Sequence, residues 1–371
     1  MTATKPALSS ALNGYWGSDG SQHVTFIGID DFVHELYIAP GAAGWVVNDL
    51  TALTEPGTPG AYATALDGYW GSDGSQHVNF IGADDHVHEL YITPGTGWVH
   101  NDLTALAGAV APKVGRALVG YWGSDSSQHV NFIGTDDHVH ELYISPGTAW
   151  VDNDLTKLAG AVLPAVETAL DGYWGSDSSV HVDFIGTDDH VHELYITPGA
   201  GWVDNDLTKM AGGQLPAAGT ELVGYWGSDN SQHVNFFGAS FDNHVQELYI
   251  APNAAGWVQN DLTTLADGFV PVVGRALDGY WGSDSSVHVN YIGSDGHVRE
   301  LYIAPGATGW VDHDLTTLAG APLAAVDTAL NGYWGSDSSQ HVNYIGSDEH
   351  VHELCIAPGT GWVHHDLTAL A

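Results

Sequence analysis

The hexapeptide GYWGSD occurs seven times in this 371-residue chain, with its Trp at 16, 70, 122, 174, 226, 281 and 334, so that successive copies lie 54, 52, 52, 52, 55 and 53 residues apart. A period this regular constrains the fold more than any single motif, because each unit must build the same local structure and bury its faces against neighbours like itself. Length alone would suggest two or three domains. The repetition argues instead for one domain over residues 1–371, divided approximately at 11–64, 65–116, 117–168, 169–220, 221–275, 276–328 and 329–371.

Within one unit, four strand candidates follow each other. In the third copy ALVGYWGS precedes SQHVNFIG, a Thr-Asp-Asp turn leads to HVHELYIS, and a Pro-Gly turn leads to AWVDNDLTKL. Each run is short, rich in β-branched and aromatic residues, and bounded by turn formers. A 3.6-residue apolar stripe is missing and Gly-Ser-Asp interrupts every candidate helix, which excludes a helical bundle. Seven units of four antiparallel strands make an all-β, seven-bladed β-propeller, in which each blade covers its neighbours' faces and no long edge stays open. Stretches such as AGAVAPKVGRAL read as surface links from the outer strand of one blade to the inner strand of the next.

The charge balance narrows the partners. With 45 Asp and Glu against 7 Lys and Arg, the formal charge is -38, a field that repels phosphate backbones and anionic lipid surfaces. Nucleic acid and membrane insertion are therefore excluded as expectations, and no motif calls for a cofactor. No run of 18 apolar residues is present, and the start MTATKPALSSALNGYWG lacks the layout of a secretory signal. Cytoplasmic synthesis is the expectation, with any release by a route that needs no signal peptide. Cys355 stands where the other units have Tyr, so it reads as a substitution in a packed strand, and no disulfide framework exists.

Comparing the seven copies separates two sets of histidines. One His opens the second strand in every unit (His23, His77, His129, His181, His233, His288, His341), and a Glu follows in the third strand (Glu35, Glu89, Glu141, Glu193, Glu247, Glu300, Glu353). They are 12 residues apart in six units and 14 in the fifth, where GASFDNH lengthens the turn by two and so keeps strand parity. A three-residue turn would set the pair directly opposite each other. The HVH pair is less constant: it is complete at His86 and His88, His138 and His140, His190 and His192, and His350 and His352, but reads Phe32 and His34, His244 and Gln246, and His297 and Arg299 elsewhere. His-x-His can present two imidazoles to zinc or copper. Loss of a ligand in three units leads to the expectation of no metal, with HVH at exposed or blade-edge positions.

The order of Trp-Gly strand, polar strand opening, Gly- or Asp-turn, Glu and Gly-Trp strand resembles the fucose-binding propeller lectins of the fungal fruit-body type. It is also similar to the seven-bladed bacterial lectins of the Photorhabdus type, both built of tectonin-like repeats. The resemblance covers the whole chain. It implies a multivalent lectin with neutral-sugar sites between adjacent blades, each held by an Arg and a Glu from one blade and stacked on a Trp of the next. Carried over, the sites pair His23 and Glu35 with Trp98, His77 and Glu89 with Trp150, His129 and Glu141 with Trp202, and His181 and Glu193 with Trp257. They continue with His233, Glu247 and Trp310, then His288, Glu300 and Trp362, and close with His341, Glu353 and Trp45. His stands at the Arg position, a departure that leaves the sugar open, since imidazole offers fewer donors than guanidinium. Glycans are the expected partners, and catalysis is not expected, because an enzyme would build one site from unlike blades. A propeller enzyme using the His and Glu, and a non-catalytic interaction ring, are the competing readings. The first Trp series, Trp16 to Trp334, is assigned to the core, and Asp19, Asp73, Asp125 and their equivalents to capping of the GSD turn.

Overall fold

A computed structural model describes residues 4–7, 9–54, 57–115, 117–239, 243–272, 274 and 276–371. Seven separate four-stranded antiparallel sheets make up the chain, each built from four consecutive strands. In blade 1 these are Leu12–Trp16, Gln22–Ile27, Val33–Ile38 and Val46–Asp49. First strands pack on the first strands of both neighbouring blades, so they line the central axis. The ring closes by docking: Leu12–Trp16 packs on Leu330–Trp334 of blade 7, and blade 1 borrows no strand. An ion pair of 2.8 Å from Lys5 to Glu349 ties the start of the chain across that seam. Among the described residues, no helix is long and apolar enough to cross a membrane.

Turn chemistry fixes the repeat locally. Asp19 accepts from the Ser21 backbone N–H at 2.9 Å, and Gly20 takes φ +84°, a conformation that favours glycine. The same Asp contact recurs at Asp73 and Asp125, as the capping assignment requires. The fourth strand differs from the sequence reading. It ends at Asp154, and Leu155–Ala159 forms a short helix whose first turn is capped by Asp154, which accepts from the Lys157 N–H at 2.9 Å. A single helical turn is too brief to show a 3.6-residue period, so the propensity of LTKL was hidden behind the strand before it.

Period-2 alternation gives each blade two different faces. One carries Val24, Phe26 and Leu36 and packs on Ile345, Val351 and Leu367 of the preceding blade. The other carries Ile27 and Val33, which join Leu66, Val78, Phe80 and Leu90 of the following blade. These interfaces, one per blade pair, are the core. They are close enough that a Cβ on Gly68 would lie 2.6 Å from the Tyr15 ring, which explains the Gly of GYW.

Polar side chains directly before the Gly of GYW in the first strands staple blade to blade around the axis. Asp67 accepts from Gly120 N–H at 2.7 Å, Asp171 from Gly224 N–H at 2.5 Å, and Asn331 from Gly14 N–H at 2.7 Å. Burial pushes the carboxyls of Asp67 and Asp171 up to about 7 and that of Asp278 to about 8, although the backbone donors oppose it. These groups hold protons in the folded chain that the unfolded chain has released, so their effect is to lower stability as pH rises from about 4 towards 8. Asp183 adds to it. It is fully buried where five other blades have Asn, and burial, then Glu193 and Asp171, raise its carboxyl well above the usual range. Asp183→Asn should therefore stabilise the chain at pH 8 by on the order of 1 kcal/mol, and less at pH 4. Urea unfolding at both pH values checks this; a loss of stability at pH 8 would contradict it.

Candidate functional site

The face of each blade that looks towards the following blade carries the repeated His and Glu. Three residues, 135–137, do form the turn of blade 3, with Gly134 N–H bonded to His138 C=O at 2.9 Å. That closure sets His129 opposite Tyr143 and Glu141 opposite Asn131, so the pair is diagonal, two residues out of the expected register, and still on one face. Blade 5 keeps the same relation, with His233 opposite Tyr249 and Asn235 opposite Glu247, although part of its longer turn, residues 240–242, lies outside the described residues.

Diagonal placement lets the side chains bond directly. His Nδ1 lies 2.7–2.8 Å from Glu Oε1 in all seven blades. His Nε2 lies 2.6–2.8 Å from the Ser hydroxyl two residues earlier. That Ser in turn donates to the turn Asp, as Ser21 does to Asp19. Both His23 nitrogens are thus occupied, one by Ser21 and one by Glu35. The second Glu oxygen accepts from an Asn amide at 2.7–2.9 Å in blades 1 to 5, for example Asn48. Blades 6 and 7 put His313 and His365 there, at 3.1 and 3.0 Å. The His residues are 1–4% exposed and the Glu residues 1–3%, so the chain Asp–Ser–His–Glu–Asn runs from solvent into the blade interface.

Charge follows from these contacts. Burial acts to raise the Glu300 and Glu353 carboxyls, but hydrogen bonds from His288 and His313, and from His341 and His365, outweigh it and hold both down at about 2. Depressed acids stabilise the fold above their ordinary value near 4.5, and that contribution disappears as pH falls towards 2.

The following blade closes the site with two indoles. Trp70 sits against the His23 ring at a centroid distance of 5.2 Å, and the other six His rings meet the first-series Trp of their neighbour at 5.3–5.6 Å. This corrects the core assignment of Trp16 to Trp334: these residues are half-buried, each ends an inner strand against the His of the preceding blade, and Trp70 and Trp174 line interblade cavities. Between blades 1 and 2 the cavity is about 680 Å³ and is lined by His23, Glu35, Tyr37, Asn48, Trp70 and Trp98 among others. Between blades 3 and 4 it is about 490 Å³ and brings together His129, Glu141 and Trp202 with Tyr143 and Trp174. Each expected triad thus meets in one place where a cavity is seen, in the volume range of roughly 300–1,000 Å³ usual for small ligands. Trp45, Trp98, Trp150, Trp202, Trp310 and Trp362 are half-buried and also rest on the interblade core, whereas Trp257 is buried, at 6% exposure.

Two contributors were not singled out in the sequence. Tyr37 and Tyr143 form the half-buried cavity wall directly opposite the His, and their constant place in ELY was the available signal. In blade 7 that wall is Cys355, whose thiol is pushed up to about 12 by burial and then by Glu353. The second is the residue before the repeated His. Gln76 donates to Glu35 and, at 2.7 Å, to Tyr15, and Gln232 donates to Glu193 at 3.1 Å. Two of the seven interfaces have Val180 and Val287 there instead, which leaves an apolar patch beside Glu141 and Glu247.

The HVH histidines lie on the opposite face of the blade, at the far end of the same strands. They are not both exposed: His140 is 2% exposed and packs on Phe132, while His138 is half-buried beside Asp154. Strand parity turns the second His inward, towards the preceding blade, and leaves the first in the turn.

No protein-family model matches the chain, and no curated protein matches its sequence. Solved structures do match it. The BP39L lectin from Burkholderia pseudomallei superposes with a TM-score of 0.77 at 13% identity, covering 96% of this chain and 98% of that one. The chain shares its fold with lectins. The Aleuria aurantia lectin, described as a six-bladed propeller with a fucose recognition mode, superposes with a TM-score of 0.53 at 15% identity over 82% of this chain and 96% of its own. SapL1 lectin, solved with α-methyl fucoside, gives 0.55 at 16% identity over 84% and 96%.

Because Glu141 is buried between His129 and Asn153, its replacement tests whether the chain of hydrogen bonds also holds the interface together. Glu141→Gln removes the charged acceptor and should cost about 1–3 kcal/mol of stability, read as a lower urea midpoint. An unchanged midpoint would show that the chain contributes nothing to the fold.

Proposed function

We propose that this protein is a multivalent, non-catalytic lectin whose sites lie between adjacent blades and take a neutral monosaccharide of the fucose class. The observation that carries the reading is the interblade cavity itself, where two indoles from one blade face a carboxylate, an amide and a phenol from the other. Indoles cover the C–H face of a sugar, and the polar groups meet its hydroxyls. Likeness of fold to lectins, including structures solved with fucosides, supports the same reading. Where Val replaces Gln, the patch at Val180 suits the methyl group of a 6-deoxy sugar.

The arrangement does not favour an enzyme. Both nitrogens of the repeated His and both oxygens of its Glu are engaged in most blades, so neither is poised to move a proton to a substrate. Several repeated sites on a rigid ring instead gain by avidity against a surface that displays many sugars.

Calorimetric titration with methyl α-L-fucoside, beside a glycan array, tests the proposal. More than one site per chain is expected, and Trp202→Ala should subtract one while leaving the others. A single site per chain, or no glycan bound on the array, would contradict it.

A further inference from the structure

On the face of the ring away from the interblade cavities, blade 3 gathers four metal-ligating side chains around one point. Asp136, His138 and His140 come from the turn and third strand, and Asp154 from the cap of the outer helix; one donor atom from each lies within 4.8 Å of all the others. His138 Nδ1 is 2.9 Å from an Asp154 oxygen and 3.9 Å from one of Asp136, and His140 Nε2 is 3.1 Å from Asp136. Tetrahedral zinc, with bonds of about 2.0–2.2 Å, sets its donors roughly 3.3–3.5 Å apart. The observed separations bracket that value. Blade 4 repeats the group with Asp188, His190, His192 and Asp206, again within 4.8 Å.

The buried imidazole gives a reason for a cation beyond proximity. His140 Nδ1 lies 2.9 Å from Asp152, an outer carboxylate of the kind that orients metal-bound histidines, and Nε2 faces Asp136 at 3.1 Å. The cage runs from the buried His140 ring to Asp136 at its exposed rim. Blade 6 shows what such a cage holds. There the equivalent carboxylates Asp295, Asp312 and Asp314 surround Arg299, which stands at the His140 position and reaches them at 2.9, 3.0 and 3.6 Å. Blade 6 carries its cation covalently; blades 3 and 4 have the same three carboxylates and a second imidazole in place of the guanidinium. Blades 2 and 7 place His100 and His364 where Asp152 would be, so their cages have one carboxylate fewer.

We propose that blades 3 and 4 each bind one zinc ion, through Asp136, His138, His140 and Asp154 and through Asp188, His190, His192 and Asp206. The ligand losses in blades 1, 5 and 6 do not touch these two sets, and blades 2 and 7, which keep the four ligands, lack the outer carboxylate that orients the buried imidazole. The sites are independent of the sugar sites and would hold the outer helix of each blade to the turn beside it.

Chelator-treated full-length protein, dialysed against zinc and assayed for bound metal, should take up two equivalents per chain. Cobalt in its place should give the visible bands of a tetrahedral ion. His138→Gln combined with His190→Gln changes two half-exposed residues and should abolish both equivalents while the thermal midpoint in chelator stays within a few degrees. Arg299→His, which recreates the blade 3 set in blade 6, should add a third. Uptake of no zinc, or the same uptake by the double variant, would overturn the proposal.

Discussion

The hydrogen bond between the repeated His and Glu joins the second and third strands of every blade and stands at the interface with the next. It is the contact on which the rest depends. Its donor and acceptor are both buried, and each would be costly if left alone. The neighbouring Ser, turn Asp and Asn complete their bonding, so the GSD turn, the middle strands and the outer strand are held in one register. The Trp of the following blade then has a fixed polar surface to pack against.

That arrangement accounts for a blade face that is polar near one end and apolar at the other. Ile27 and Val33 bury against the next blade, while His23 and Glu35 meet Trp70 and Gln76 of that blade and a cavity opens beside them under two indoles. The difference between faces also explains why the two sets of histidines behave differently. One set is locked in the interblade network in all seven copies, and the other lies towards the preceding blade, where Phe132 and carboxylates surround it and where substitution by Gln or Arg is accommodated by a change of partner.

Much of this was legible in the sequence, and the limits have physical causes. The strict repeat and the four short strands per copy specified the ring, and the constancy of His129, Glu141 and Trp202 pointed to one site. Register was misjudged by two residues because a shift of two keeps every side chain on its face, so alternation cannot detect it. The first Trp series was placed in the core because a residue ending an inner strand looks the same in sequence whether a neighbour covers it or a cavity opens beside it. The helix after Asp154 is one turn long, below what periodicity resolves. Asp183 and Arg299 were visible only as departures from the other copies; their meaning came from the burial of one and the carboxylate cage around the other.

The ring as a whole is strongly acidic, with buried carboxyls that keep protons at the axis and depressed ones at two blade interfaces, so its stability has opposing pH trends built in. The proposed sugar binding turns instead on where the ligand sits. A crystal structure of the protein soaked with methyl α-L-fucoside examines that most directly. Sugar is expected between blades 1 and 2, against Trp70 and Trp98, with hydroxyls towards Asn48 and Tyr37. Sugar in the central channel instead, or empty interblade cavities at saturating ligand, would contradict the account.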